Sequence, residues 1–275
     1  MNQLKIAIQG VLGSFHHQVA LRNFGEVIEI LDFTTFEPVA RSVANGEADF
    51  AVMAIENSIA GAILPNYDLI DRYGLSIRDE YYLPIGHQLM ALPGQTIEDI
   101  TEVRSHPMAL LQCKAFFAQH PHIRLKEDTD TASVARDIAK ENLKGVAAIA
   151  STIAAEIYGM EIIAADIQTV KSNFTRFIIL QKEAVKPANS VNKASIKVTI
   201  QNQQGGLAKL LTLISENGID LSKIQSIPVI EKPWEYAFFI DLVFEDHVIF
   251  SRTIEEIRIT FGEVKIFGEY LSRKQ

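Results

Sequence analysis

The sequence has one cysteine, Cys113, in 275 residues. An intramolecular disulfide is therefore excluded, and nothing in the cysteine usage points to an oxidising compartment. Cys113 itself reads as a small buried apolar side chain rather than a nucleophile. Excess positive charge is also lacking: the net charge is −8 and the sequence pI is near 5.4. No global attraction to nucleic acid or to an anionic membrane follows from such a chain, and an anionic ligand would need local cations. No apolar run approaches the roughly 20 residues that span a bilayer. Met1-Asn2-Gln3-Leu4-Lys5 leads directly into the strand-like Ile6-Ala7-Ile8 rather than into a signal peptide's apolar core. These absences set the expectation of a cytoplasmic protein with neither nucleic-acid nor membrane partners.

What is present is ordinary globular composition, 48% hydrophobic and 22% charged, long enough for two domains. From residue 1 to about 183 the chain alternates strand and helix, which predicts an α/β domain with parallel sheets. Strands are expected at 5–9, 27–31, 48–55, 85–92, 124–126 and 146–149. Helices are expected after Ser14 and at 36–45, 109–118, 134–141 and 151–158. Polar residues fall at several strand ends, which implies two lobes and a cleft. Residues 184–193, with Lys186-Pro187-Ala188-Asn189-Ser190, read as a linker. Beyond it the order βαββαβ over 194–275 predicts an α+β ferredoxin-like module. Modules of this kind commonly bury a sheet face against a copy, so a homodimer or homotetramer is expected.

The chemistry-bearing stretch is Asn173-Phe174-Thr175-Arg176-Phe177, which runs into Ile178-Ile179-Leu180. A guanidinium beside a hydroxyl at the entrance of a buried strand suits a carboxylate-bearing ligand, and an internal ion pair would serve the Arg equally well. Gly10-Val11-Leu12-Gly13-Ser14-Phe15 places backbone N–H groups and Ser14 at a helix N-terminus, a ready anion site. It lacks the third glycine of a dinucleotide fingerprint. His16 and His17, adjacent on that helix, face different directions and read as solvated. Asn57 and Ser58 follow a strand and suit either a ligand or a helix cap. Ser105 lies where a strand meets a helix, with Gln112 two turns on along the same side. His106, before Pro107, suits a general base or a structural hydrogen bond equally.

Taken together, these motifs resemble the prephenate dehydratase family across nearly the whole chain. They are Gly10 to Phe15, Ala48-Asp49-Phe50, Glu56-Asn57-Ser58, Ser105-His106-Pro107 with Gln112, Asp130-Thr131-Ala132, and Asn173 to Phe177. The resemblance implies a two-lobed, periplasmic-binding-protein-like (type II) catalytic domain over 1–183 and a C-terminal ACT domain over 194–275. It implies conversion of prephenate to phenylpyruvate with loss of water and carbon dioxide, on the route to phenylalanine. Aromatisation drives that reaction, so neither a metal nor an organic cofactor is implied. Catalysis falls to Thr175 and Arg176, and substrate binding to Ser14, Asn57, Ser58, Ser105, Gln112, Thr131 and Phe177. His106 and Glu56 remain alternative proton sources. Adjacent strand residues point to opposite faces, so Thr175 and Arg176 meet one ligand only where the strand is irregular. Arogenate is an alternative substrate, and a non-catalytic carboxylate sensor an alternative use of the fold.

In the ACT half, Gly205-Gly206-Leu207-Ala208 stands where the family has Gly-Ala-Leu-Val. Gln225-Ser226-Ile227-Pro228 stands where it has Glu-Ser-Arg-Pro, without the two charges. These eight positions are the candidate effector site, with phenylalanine the candidate effector. Gly218 to Ile224 and Trp234-Glu235-Tyr236 also fit the family pattern.

Overall fold

The computed structural model describes residues 3–184, 190–200, 204–228 and 236–273. The central part of the linker and Trp234-Glu235 lie outside the described residues. In chain order the first elements are β1 (Leu4–Gln9), α1 (Phe15–Phe24), β2 (Ile28–Phe33), α2 (Phe36–Asn45), β3 (Phe50–Asn57), β4 (Gly61–Ala62), α3 (Leu64–Arg72), β5 (Ser76–Pro84) and β6 (Gln88–Ala91). A short 3-10 turn at Ile97–Asp99 precedes β7 (Glu102–Ser105), α4 (Pro107–Gln112), α5 (Lys114–Phe117), β8 (Arg124–Glu127), α6 (Thr131–Glu141) and β9 (Val146–Ala150). Then come α7 (Thr152–Tyr158), β10 (Glu161–Ala164), β11 (Phe174–Gln181), β12 (Lys193–Ile200), α8 (Gly206–Glu216), β13 (Asp220–Pro228), β14 (Tyr236–Val243), α9 (His247–Phe261) and β15 (Val264–Tyr270).

Among the described residues the strands form three sheets. The first has the order β2-β1-β3-β11-β5 with β4 on β3, and the second the order β10-β6-β9-β7-β8. These two sheets are the pair of α/β lobes expected of the catalytic half. Pairing of β1 with β2 and β3, and of β7 with β8 and β9, is parallel. The expectation of parallel sheets throughout needs correction, because β6 runs antiparallel to both β9 and β10. The apolar runs of β6 and β9 are covered on both faces, which hides strand direction from the sequence. Leu89, Ala91, Ala147 and Ile149 join one core cluster, while Met90, Ala148 and Ala150 join another.

Helix ends follow their capping residues. The side chains of Ser14, Asp130 and Ser151 cap α1, α6 and α7, and Gly46, Asn142 and Gly159 close α2, α6 and α7 in the left-handed region. The single helix expected at 109–118 is two, α4 and α5, separated at Cys113. Burial pushes the Cys113 thiol up to about 12, which keeps it protonated and unreactive.

The third sheet, β13-β14-β12-β15, is antiparallel at every described pairing and carries α8 and α9. It is the ferredoxin-like module, with Ile196, Val198, Leu210, Ile214, Ile240, Phe250 and Ile254 in its core. The chain divides into two compact units, Met1–Gly61 with Tyr82–Phe177, and Ala62–Tyr81 with Ile178–Gln275. The second unit thus includes α3 and most of β5, neither of which the hydrophobic periodicity reveals. Within that unit Tyr67 meets Phe239 edge-on at 5.2 Å, and Phe239 stacks on Phe267 at 5.3 Å. Gly268 must be glycine there, since a Cβ would lie 1.9 Å from the Ile77 carbonyl oxygen.

Candidate active site

The strand β3 ends at Asn57, and the next peptide turns back on the Asn57 side chain. Asn57 Oδ1 accepts from the Ile59 and Ala60 N–H groups at 3.0 and 2.9 Å. This local turn fixes the amide's orientation, so the Nδ2 group faces β11. There it donates to Asn173 Oδ1 at 2.7 Å, to Thr175 Oγ1 at 2.9 Å and to the Phe174 carbonyl at 3.2 Å. Ser58 Oγ accepts from the Phe174 N–H at 2.9 Å, and the Ser58 N–H donates to the Phe174 carbonyl at 2.8 Å. The two motifs nearly 120 positions apart are thus stitched together.

Asn173, wholly buried, passes the polarity on. Its Nδ2 donates to Gln112 Oε1 at 3.0 Å, and the same oxygen bonds His87 Nε2 at 2.8 Å. Gln112 reaches this position at the end of α4, where its carbonyl also accepts from Thr169 N–H. The bond from Asn57 occupies a lone pair of Thr175 Oγ1 and leaves the hydroxyl proton for another acceptor. Arg176 follows within the same strand and is only 4% exposed. The strand is continuous from Phe174, so Thr175 and Arg176 leave it in alternate directions.

The other expected residues divide. Ser105 Oγ donates to the Ile149 carbonyl at 2.7 Å, tying β7 to β9, and the residue is fully buried. Thr131 opens α6, its N–H bonded to Asp130 Oδ1. Phe177 is a core residue whose ring meets His16 edge-on at 5.0 Å. Ser14 Oγ accepts from His17 N–H at the start of α1. The reading of His16 and His17 as solvated is overturned, for both are buried. His16 Nε2 accepts from the Ala54 N–H, and burial pushes its pKa down to about 3. His17 Nδ1 accepts from the Gly13 N–H, with its pKa likewise lowered by burial. Each ring satisfies a backbone donor, a role that helical periodicity does not reveal. His106 Nδ1 accepts from the Met108 N–H and so caps α4.

Several participants escape the sequence reading. Ser151 Oγ donates to the Gly13 carbonyl at 2.5 Å, and Tyr158 Oη to the Leu12 carbonyl at 2.6 Å. These bonds hold the Gly10–Ser14 turn of the first lobe against α7 of the second. Gly13, at φ +87°, approaches so closely that a Cβ would lie 2.9 Å from Ala154 Cα. His87 and Asn173 also went unassigned. Their only signals are a polar residue interrupting the apolar run 85–92 and the first position of the Asn-Phe-Thr-Arg-Phe motif.

In the C-terminal module Gly205 adopts φ +78° ahead of α8, where Gly206 is buried, Leu207 packs on the core and Ala208 is exposed. Gln225 to Pro228 lie on the edge strand β13, paired in register with Phe239 to Tyr236 of β14. Gln225 Nε2 donates to the Ser226 carbonyl.

Comparison with known proteins identifies the family of the chain. The prephenate dehydratase family profile matches residues 6–185, and the ACT domain profile residues 194–248. An Arabidopsis thaliana arogenate dehydratase/prephenate dehydratase 2 is 38% identical over 87% of this chain and 65% of its own length. The bifunctional chorismate mutase/prephenate dehydratase of Aquifex aeolicus is 33% identical over 98% of this chain and 74% of its own. The chain thus spans about two thirds to three quarters of the length of these curated relatives. Among solved structures, a prephenate dehydratase from Arthrobacter aurescens in complex with L-Phe superposes with a TM-score of 0.87 at 25% identity, covering 98% of this chain and 90% of that one. A quorum-quenching acylase, GqqA, superposes at 0.88 with 26% identity, covering 98% of both chains.

Proposed function

The chain belongs to the prephenate dehydratase family, and from that premise we propose that it converts prephenate to phenylpyruvate, water and carbon dioxide. The observation that carries this reading is the bond from Asn57 Nδ2 to Thr175 Oγ1. Threonine is a poor acid at neutral pH. A donor already aimed at its oxygen stabilises the negative charge that grows there as the proton leaves. Thr175 gives its proton to the ring hydroxyl, the C–O bond breaks and water departs; Thr175 regains a proton from solvent as the products leave. The bond to the ring carboxylate breaks in concert, its electron pair enters the ring, and carbon dioxide is released. Arg176 holds a carboxylate of the substrate. The Gln112 amide N–H groups, which have no acceptor among the described residues, are placed to bind a further oxygen. Exclusion of water from such a site favours decarboxylation.

Phenylalanine is the effector of the ACT module in this reading. The Arthrobacter complex supports that assignment, and the uncharged Gln225-Ser226-Ile227-Pro228 predicts weaker control than a charged motif. The module pairs with a copy as a homodimer or homotetramer, and the protein works in the cytoplasm without cofactor. Arogenate is the second substrate to weigh, since the Arabidopsis relative carries both activities in its name.

The test is turnover of prephenate and of arogenate side by side, with and without phenylalanine. Phenylpyruvate formation above the spontaneous rate, inhibited by phenylalanine, is the expected result. Turnover of arogenate alone would reassign the substrate, and turnover of neither would leave a carboxylate-binding protein.

A further inference from the structure

The hydrogen-bonded series Thr175–Asn57–Asn173–Gln112–His87 has only one consistent direction. Backbone N–H groups at Ile59 and Ala60 pin Asn57 Oδ1, so Asn57 must present Nδ2 to Asn173. Asn173 must then receive with Oδ1 and donate with Nδ2, which obliges Gln112 to receive with Oε1. His87, meeting that oxygen at 2.8 Å, must carry its proton on Nε2. Its other ring nitrogen, Nδ1, is buried and has no hydrogen-bond partner among the described residues, which suits a lone pair better than an N–H with no acceptor. The ring is 3% exposed and packs edge-on to Phe15 at 5.9 Å. Burial lowers its pKa, against an opposing contribution from the Gln112 bond, so the neutral form persists. The backbone is fixed as well: His87 N–H donates to Gln168 Oε1, and its carbonyl accepts from Ile167 N–H.

We propose that His87 is a positioning residue for the dehydratase reaction, holding Gln112 with its amide N–H groups turned toward the substrate. Two donors, from His87 and Asn173, occupy both lone pairs of Gln112 Oε1. Without the His87 donor, one lone pair is open and the amide is free to rotate and offer its oxygen. An amide oxygen facing an anionic substrate repels it. His87 neither touches the substrate nor exchanges a proton in this role. The proposal rests on the prephenate dehydratase reading, because the donors need an acceptor-rich ligand to serve.

The test is a double-mutant cycle read in kcat/KM, with His87→Phe, Gln112→Ala and the pair together. Phenylalanine keeps a ring against Phe15 and removes the donor. His87→Phe in the wild-type background should lower kcat/KM on the order of tenfold, the worth of one hydrogen bond. In the Gln112→Ala background it should have no further effect, although the loss of thermal stability recurs in both. An equal fall in both backgrounds, or none in the first, overturns the proposal. Ring ¹⁵N–¹H correlation spectra of the unmutated protein provide a readout independent of folding variants and of substrate. A neutral Nε2–H ring between pH 6 and 8 is expected, and an Nδ1–H tautomer or a cation overturns the proposal. Absence of prephenate turnover by the unmutated protein would instead count against the proposed reaction, leaving the spectra to judge the relay.

Discussion

Two of the buried polar systems among the described residues are built on opposite principles. In the first unit the system is neutral and directional. Thr175, Asn57, Asn173, Gln112 and His87 pass one donor–acceptor sense along the series, and the series ends with donors that have no acceptor among the described residues. In the second unit the system is ionic and closed. Lys193 Nζ meets Glu80 Oε2 at 2.8 Å with the two side chains 1% and 0% exposed, and Glu80 Oε1 also receives the Arg273 N–H. Arg273 pairs with Asp79, while Asp71 takes both Lys197 and Lys265. The acids of α3 and β5 are thereby matched by cations from the ends and strands of the ferredoxin-like module. A closed set of ion pairs fixes one element on another, whereas a directional neutral series with donors left over is fit to receive a ligand. Burial alone does not distinguish the two; unused hydrogen-bonding capacity does.

The comparison predicts that damage to the first system is read in rate and damage to the second in stability. A large effect is expected from Arg176→Ala, which should lower kcat/KM on the order of a thousandfold if it removes the proposed charged anchor. Steady-state kinetics checks it, and a merely unstable variant would show the loss in Tm rather than in rate. Next is Lys193→Met, which strands the Glu80 carboxylate and should cost about 3–5 kcal/mol in denaturant unfolding. Restoring apolar matching with Lys193→Met and Glu80→Leu together should recover most of that loss. If the single variant is as stable as the parent, the ionic system is not a clamp.

A third prediction concerns acid. His16 is neutral in the fold with its pKa pushed down to about 3, so the unfolded chain binds its proton more readily. Stability from His16 is complete above its unfolded pKa and falls as pH drops toward 3, by about 1.4 kcal/mol per unit. His16→Gln should flatten that slope between pH 6 and 4, and an unchanged slope would contradict the assignment. The smallest effect is expected at Asp71. Burial there raises the carboxyl pKa, but the hydrogen bonds and charges of Lys197 and Lys265 outweigh it and hold the pKa low. The stabilisation is present above the unfolded pKa and is lost as pH falls through the lower folded one. Asp71→Asn should cost about 1 kcal/mol at pH 7, since these pairs are partly exposed, and should remove that part of the acid sensitivity.

How legible all this is in the sequence depends on the kind of signal. Helices with strong caps, such as α6 and α7, and the βαββαβ order of the last third follow from local chemistry. The strand β5 and helix α3 do not, because Ser76-Ile77-Arg78-Asp79-Glu80 gathers acids whose partners lie more than a hundred residues on. The site motifs at Asn57, Gln112 and Thr175 are visible as polar residues at strand and helix ends. His87 and Asn173 are not marked as site residues, since their roles exist only in the long-range bonds to Gln112 and Asn57. Likewise His16 and His17 look like surface residues until the backbone donors of Ala54 and Gly13 are brought to them.

The most direct test of the central claim is Thr175→Ala, with prephenate affinity and prephenate turnover measured on the same preparation. Near-parental affinity is expected, because Arg176 and Gln112 remain, with turnover reduced about 10²- to 10⁴-fold by loss of the proposed proton donor. Parental turnover in the variant would contradict it and move the acid elsewhere.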